Sequence, residues 1–159
     1  MKEYEDLKLM AKKSEPLFLQ YYKKNKKRIA KQDQEIKLIH EGVSASIDCL
    51  SCANCCRTLG PAIYDKDIER IAKGLRIKPS DVVTSYLRID EDGDYVFRSM
   101  PCPFLMPDNY CSVYEHRPKA CREYPHTDRK KFEQIYRLTV KNTATCPIAY
   151  EVLLRLVEK

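Results

Sequence analysis

A chain of 159 residues with 29 lysines and arginines, 23 carboxylates and a net charge of +6 has the size of one folded domain with room for an apolar core. Its 43% hydrophobic content excludes global disorder, and no run approaches the roughly 20 apolar residues that a bilayer-spanning helix needs. The opening MKEYEDLKLMAKK has no apolar run of the signal-peptide kind, so the expected compartment is the cytoplasm, where thiols stay reduced and disulfides are rare.

Residues 1–42 contain no cysteine and read as an N-terminal amphipathic helical segment, with residues 43–159 as a cysteine-cluster domain. Ser14 is the expected N-cap, Pro16 falls in the first turn, and Gly42 is the expected stop. Leu17, Tyr21, Ile29, Ile36 and Ile39 form a loose apolar stripe between them, as a helix covering a core requires. The run Lys23-Lys24-Asn25-Lys26-Lys27-Arg28 reads first as the solvated face of that helix. Its second reading is an electrostatic footprint for RNA, DNA or an acidic protein. It lacks the aromatic–basic interleaving of RNA-binding segments, which argues against nucleic acid.

The stretch 49–56 is expected as irregular loop. Asp65 then caps a short helix through Ile68, Ile71 and Ala72 that Gly74 closes. Pro79 opens another carrying Val82, Val83, Tyr86 and Leu87. Asp92-Gly93 reads as a turn, with 94–98 as a short strand beyond it. Residues 101–125 hold five of the nine prolines and three of the eight cysteines, so loops and single helical turns are expected, with a metal as their core. Residues 130–141 fit helix or strand, and Cys146-Pro147 starts a final helix through Ile148, Val152, Leu153, Leu156 and Val157. The expected fold class is therefore mainly α, with irregular cysteine-rich loops and at most a short β-hairpin. It is a small metal- or cluster-centred single domain with a long N-terminal helix.

Cys49-Leu50-Ser51-Cys52-Ala53-Asn54-Cys55-Cys56 gives C-x2-C-x2-C-C. A C-x2-C step is the shortest loop that turns two thiolates of one chain toward a single metal ion. Cys102, Cys111, Cys121 and Cys146 follow singly, after 45, 8, 9 and 24 intervening residues. Eight cysteines can supply two four-sulfur centres, or fewer with some thiols left as core residues. Structural zinc sites usually pair two C-x2-4-C steps, and only the first half here obeys that rule. A cysteine triplet with a remote Cys-Pro, here Cys102-Pro103 or Cys146-Pro147, is the pattern of cuboidal four-iron clusters. Zinc and iron–sulfur both stay open, with a slight lean to iron–sulfur.

A buried thiolate needs compensating charge, and Arg57, Arg117 and Arg122 lie one to four residues from a cysteine. His116 and His126 are additional candidate ligands, whereas His40 lies away on the N-terminal helix. Tyr110, Tyr114 and Tyr124 flank the cysteines, with packing as their default role. No glycine-rich phosphate loop, G-x-S-x-G elbow or H-E-x-x-H helix is present, and thiolates tied to a metal make poor free nucleophiles.

The segments CLSCANCCR and PCPFLMPDNYCSVYEHRPKACREYP resemble the YkgJ-type cysteine-cluster family of zinc- or iron-chelating domains. The motif residues are Cys49, Cys52, Cys55 and Cys56, Cys102 to Leu105, Cys111 to Tyr114, Arg117-Pro118 and Cys121 to Pro125. The resemblance implies metal chelation, and Cys146 suits the late cysteine of many members. A similar signature occurs in flagellin lysine methylases, which are thought to hold an iron–sulfur cluster. Three functions follow: a metal- or cluster-binding protein, a cluster-dependent enzyme related to those methylases, or a zinc-stabilised interaction module.

Overall fold

The computed structural model describes residues 6–159, so the helical expectation for residues 1–5 lies outside the described residues. The helices are α1 (Leu7–Ile29), α2 (Asp33–Ser44), α3 (Cys49–Cys52), α4 (Asn54–Thr58), α5 (Asp65–Leu75), α6 (Pro79–Tyr86), α7 (Lys119–Glu123), α8 (Tyr136–Asn142) and α9 (Pro147–Val157). One antiparallel hairpin joins β1 (Leu87–Ile89) to β2 (Tyr95–Phe97), in the register Leu87↔Phe97, Arg88↔Val96 and Ile89↔Tyr95. The expected mainly helical class, long N-terminal helix and short hairpin are all present. The chain forms two compact units: residues 1–49 with 125–159, and residues 50–124.

The first unit packs α1, α2, α8 and α9 around Phe18, Ile29, Ile36, Phe132, Tyr136 and Leu153, all fully buried. Each such side chain contributes roughly 1.5–3 kcal/mol by leaving water. The single helix expected across 14–42 is two helices. The first begins at Leu7 because Leu7, Ala11 and Phe18 extend the buried seam at helical spacing. Ser14 lies inside that helix, its hydroxyl 3.1 Å from the Tyr150 hydroxyl, and is not its cap. Leu17 is 48% exposed, and Phe18 takes the inward position instead.

The chain breaks at 30–32. Lys26, Lys27 and Arg28 sit in the last turn of α1, while Asp33 and Glu35 sit in the first turn of α2, each set matching its helix dipole. The Asp33 carboxylate also accepts the backbone N–H groups of Lys131 (2.6 Å) and Phe132 (3.1 Å), which fixes where α2 starts. Gly42 stays within α2, which runs on to Ser44.

The second unit has an apolar core of its own. Ile68 and Ile71 of α5, Val82 of α6, Leu87 and Phe97 of the hairpin, and Phe104 and Val113 from the cysteine-rich stretch are buried together. Phe104 meets Phe97 edge-on at 5.6 Å and Tyr86 at 4.9 Å. The 101–125 stretch, expected to have only a metal at its centre, is therefore anchored by ordinary hydrophobic burial. Gly93 makes the hairpin turn at φ 87°, a conformation open to glycine, and the Asp90 carboxylate accepts the N–H groups of Asp92 and Asp94, both at 3.0 Å.

Residues 130–141, ambiguous in the sequence, are helical from Phe132 onward. A 3-10 turn, Phe132–Ile135, leads into α8.

Candidate metal centre

The opening cysteine run is two helical turns rather than irregular loop. α3 ends at Cys52, buried Ala53 takes the left-handed conformation at φ 48°, and α4 restarts at Asn54 carrying Cys55 and Cys56. The reversal at Ala53 is what a short C-x2-C step demands of its backbone. The Cys55 and Cys56 sulfurs lie 4.0 Å apart. The Cys56 carbonyl accepts the Cys102 N–H at 2.8 Å, a bond that ties the knuckle to the next cysteine 46 positions on.

Residues 102–112 close into a tight loop. Leu105 N–H donates to the Cys102 carbonyl (3.0 Å), Leu105 bridges to Cys111 in antiparallel fashion, and Ser112 N–H donates to the Phe104 carbonyl (2.8 Å). The 3-10 turn Tyr114–His116 follows, and α7 then carries Cys121. Phe104 and Val113, buried just beside Cys102 and Cys111, hold this loop to the core.

Four thiols of the second unit feel one another. Burial pushes Cys102 up to about 11, and the nearby Cys56 and Cys111 add to the rise while the backbone amides of Phe104 and Leu105 oppose it. Cys121 is pushed up to about 12, first by burial and then by Cys102, Cys56 and Cys111. Burial also raises Cys111, against the Val113 amide. Cys56 runs the other way, lowered to about 7 by its contact with Cys55 and then by the charges of Arg117 and Arg57. None of Cys52, Cys56, Cys102, Cys111 and Cys121 is in a disulfide.

Two of the three arginines singled out in the sequence act here. Arg117 donates from Nε to the Tyr114 carbonyl at 2.7 Å and lies 3.5 Å over the Tyr114 ring, and Tyr114 stacks on Tyr110. Its charge favours the thiolates of Cys56, Cys111 and Cys121. Arg57 donates to the Cys52 carbonyl at 3.1 Å and to the Asn109 side chain, linking the knuckle to the 106–110 turn. Arg122 is exposed and is not among the charges that shift these thiols.

Cys146 is a buried residue of the first unit at the head of α9, and Cys49 is exposed at that unit's edge. His40 is a structural residue of the first unit, its ring nitrogens engaged by Thr127 at 2.6 Å and Ser44 at 3.2 Å. His126 has a left-handed backbone (φ 64°) and also belongs to the first unit. His116 packs against α5 at Gly74.

One positioning residue escaped the sequence reading, and a second, Gly74, was read only as the stop of a helix that in fact runs on to Leu75 and is closed by left-handed Arg76. Asp67, 2% exposed at the third position of α5, accepts the Tyr64 N–H at 3.1 Å and the Lys119 N–H at 2.8 Å. The first bond caps α5 and the second holds the N-terminus of α7, the helix of Cys121. An acidic residue at this helix position is a recognised capping signal, so the first half was readable. Gly74 is the other: a Cβ there would lie 2.7 Å from His116 Cγ and 3.0 Å from His116 Cβ. Gly74→Ala should therefore destabilise by about 1–2 kcal/mol in denaturant titration, reversing the gain of about 0.5–1 kcal/mol usual for that change in a helix. His116→Ala in the same chain should restore stability, because the ring that the new methyl strikes is gone.

Among the described residues, no three His, Cys, Asp or Glu side chains are drawn together into a metal-holding geometry. The donor set nonetheless suits a soft metal or a cluster. Four thiols neighbour one another, backbone amides face two of the sulfurs, and two guanidiniums offset the charge that ionisation would create. Fold and composition together describe a small, mainly helical, thiol-rich protein. A family model described as "CxxCxxCC: Putative zinc- or iron-chelating domain" matches residues 48–147, and the chain belongs to that family. No curated protein and no solved structure matches the chain closely enough to carry an argument. No helix among the described residues is long and apolar enough to cross a membrane.

Proposed function

We propose that the protein binds a metal centre, zinc or an iron–sulfur cluster, through Cys56, Cys102, Cys111 and Cys121. The carrying observation is that the Cys102 N–H binds the Cys56 carbonyl at 2.8 Å, and that Cys102, Cys111 and Cys121 all lie close enough to Cys56 for its charge to oppose their ionisation, within one compact unit. Such a centre would add its own cohesion to the loops between α4 and α7. The group supplies charge neutralisation in the case of zinc, and electron storage in the case of a cluster. Phe104 and Val113 shield the sulfurs from one side, and Arg57 and Arg117 supply positive charge. Cys49, Cys52, Cys55 and Cys146 lie outside this set. The singly spaced later cysteines and the two Cys-Pro steps favour iron–sulfur.

Anaerobic purification with elemental analysis for iron, zinc and acid-labile sulfide tests this reading. One metal ion or one cluster per chain fits the four-thiol centre, and none overturns it. Binding should also release protons. Cys102 and Cys121 hold theirs to about pH 11 and 12, while Cys56 is half ionised near 7. At neutral pH, loading zinc into the metal-free protein is expected to release about three to four protons. Calorimetry in buffers of different ionisation enthalpy measures that number. Affinity should therefore rise with pH up to the alkaline range, and acid should strip the metal. In the metal-free protein the sign is opposite for folding. Unfolded thiols ionise near 9, before the folded Cys102 and Cys121, so the unfolded state binds fewer protons between about 9 and 12. Stability falls as pH rises through that window.

A further inference from the structure

α1 carries eight cationic side chains, Lys8, Lys12, Lys13, Lys23, Lys24, Lys26, Lys27 and Arg28, against the single carboxylate Glu15. That one helix is therefore +7, the whole chain is +6, and everything outside the helix sums to −1. All eight cations are exposed. Among the described residues only Lys26 has an ion pair, a 3.4 Å contact to Glu133. The helix dipole accounts for Lys26, Lys27 and Arg28 in the last turn, but not for the five lysines further back.

The face opposite the buried seam is regular. Positions 9, 13, 16, 20, 23 and 27 follow one another at three- and four-residue spacing along 23 residues of helix, with Lys12 and Lys24 beside them. Leu7, Ala11, Phe18 and Ile29 occupy the inward face, so this outward stripe is free of the core. Leucines interrupt the charge: Leu9 is 50% exposed, Leu17 is 48% and Leu19 is 36%.

We infer that this face of α1 docks an acidic protein segment carrying apolar side chains, a function independent of metal content. Charge complementarity requires a polyanion, and two observations favour protein over nucleic acid. Phosphate backbones are gripped by cations and polar donors and make no use of exposed leucines. The aromatic rings of the helix are also poorly placed to stack on bases: Phe18 is buried, Tyr21 is half-buried with its hydroxyl enclosed, and Tyr22 is stacked on Tyr136 at 4.8 Å with its hydroxyl donating to Glu133. A protein partner uses both chemistries, apolar anchors for affinity and charge for steering and register.

Fluorescence anisotropy of the full chain with a labelled 20-residue helical peptide of glutamate and leucine tests the inference. The wild type should bind it, and binding should weaken as salt rises from about 50 to 300 mM, because screening shortens the reach of the lysines. K23E/K24E/K27E should lose at least about tenfold in affinity, with an unchanged circular dichroism spectrum. The same variant should gain binding to the matched lysine–leucine peptide. L9S/L17S tests the anchors and should also weaken binding while leaving the salt dependence intact. Equal binding by the charge-reversed variant overturns the inference. A duplex RNA of equal charge that binds more tightly than the peptide at the same salt also overturns it, and would make the face a phosphate-backbone site.

Discussion

Cys121→Ser is expected to weaken zinc binding by at least about a hundredfold, read by competition with a chromophoric chelator. Structural zinc held by thiolates is worth roughly 10–16 kcal/mol near neutral pH, so one of four ligands accounts for about 3 kcal/mol. Serine keeps its proton and cannot replace a thiolate. The other arm of the expectation concerns the fold. The first unit buries Phe18, Ile36, Tyr136 and Leu153 without help from any of the four proposed ligands. Loss of the centre should therefore cost far-UV helix signal only from the short helices α4 and α7, while α1, α2, α8 and α9 persist. A Cys121→Ser protein that takes up zinc with wild-type affinity removes Cys121 from the ligand set. A protein that binds no zinc but assembles a cluster points to iron, and the same substitution should then bleach its visible absorption.

Much of the organisation was legible in the sequence because it rests on local chemistry. Pro79 and Pro147 each stand at the first position of a helix, where a missing N–H costs nothing. Asp92-Gly93 forecast a turn that needs positive φ, and the strand after it paired with the residues just before. The break between α1 and α2 was also written there, as three cations followed by two carboxylates, a pattern that marks adjoining helix ends. It was masked by an apolar stripe that runs through both helices. Ser14 and Leu17 misled because capping propensity and hydrophobicity describe a residue alone, whereas the partner Tyr150 lies 136 positions away.

The cysteines were found by spacing, but their grouping was not. Backbone links between distant residues decide which thiols meet: Cys56 to Cys102, Leu105 to Cys111, and Asp67 to the helix of Cys121. None of these leaves a periodic trace. Arg57 and Arg122 both sit next to a cysteine in sequence, yet only Arg57 shifts a thiol, because helix geometry and not sequence distance sets which charges converge. Motif reading thus identified the element types and the cysteines, while the tertiary hydrogen bonds that join the segments carrying them lie outside its reach.

Those bonds make Asp67 the most exposed test of the site's construction. Its carboxylate is buried and serves two backbone N–H groups, Tyr64 just before α5 and Lys119 at the head of α7, 55 residues apart in sequence. Asp67→Ala leaves both donors without an acceptor and should destabilise by about 2–4 kcal/mol. Asp67→Asn retains one acceptor oxygen but turns an amide donor toward the other N–H, so about 1–2 kcal/mol is expected. Stability alone would not separate a cap from a residue that aims a ligand. The distinguishing readout is zinc dissociation from the folded protein at denaturant concentrations far below the unfolding midpoint. If Asp67 orients α7, Asp67→Asn should speed dissociation by about tenfold, since Cys121 then samples positions off the metal, as loss of outer support does at other metal sites. Capping of α5 alone predicts an unchanged rate despite the lower midpoint. That result would confine Asp67 to the fold and leave Cys121 to be held by its own helix.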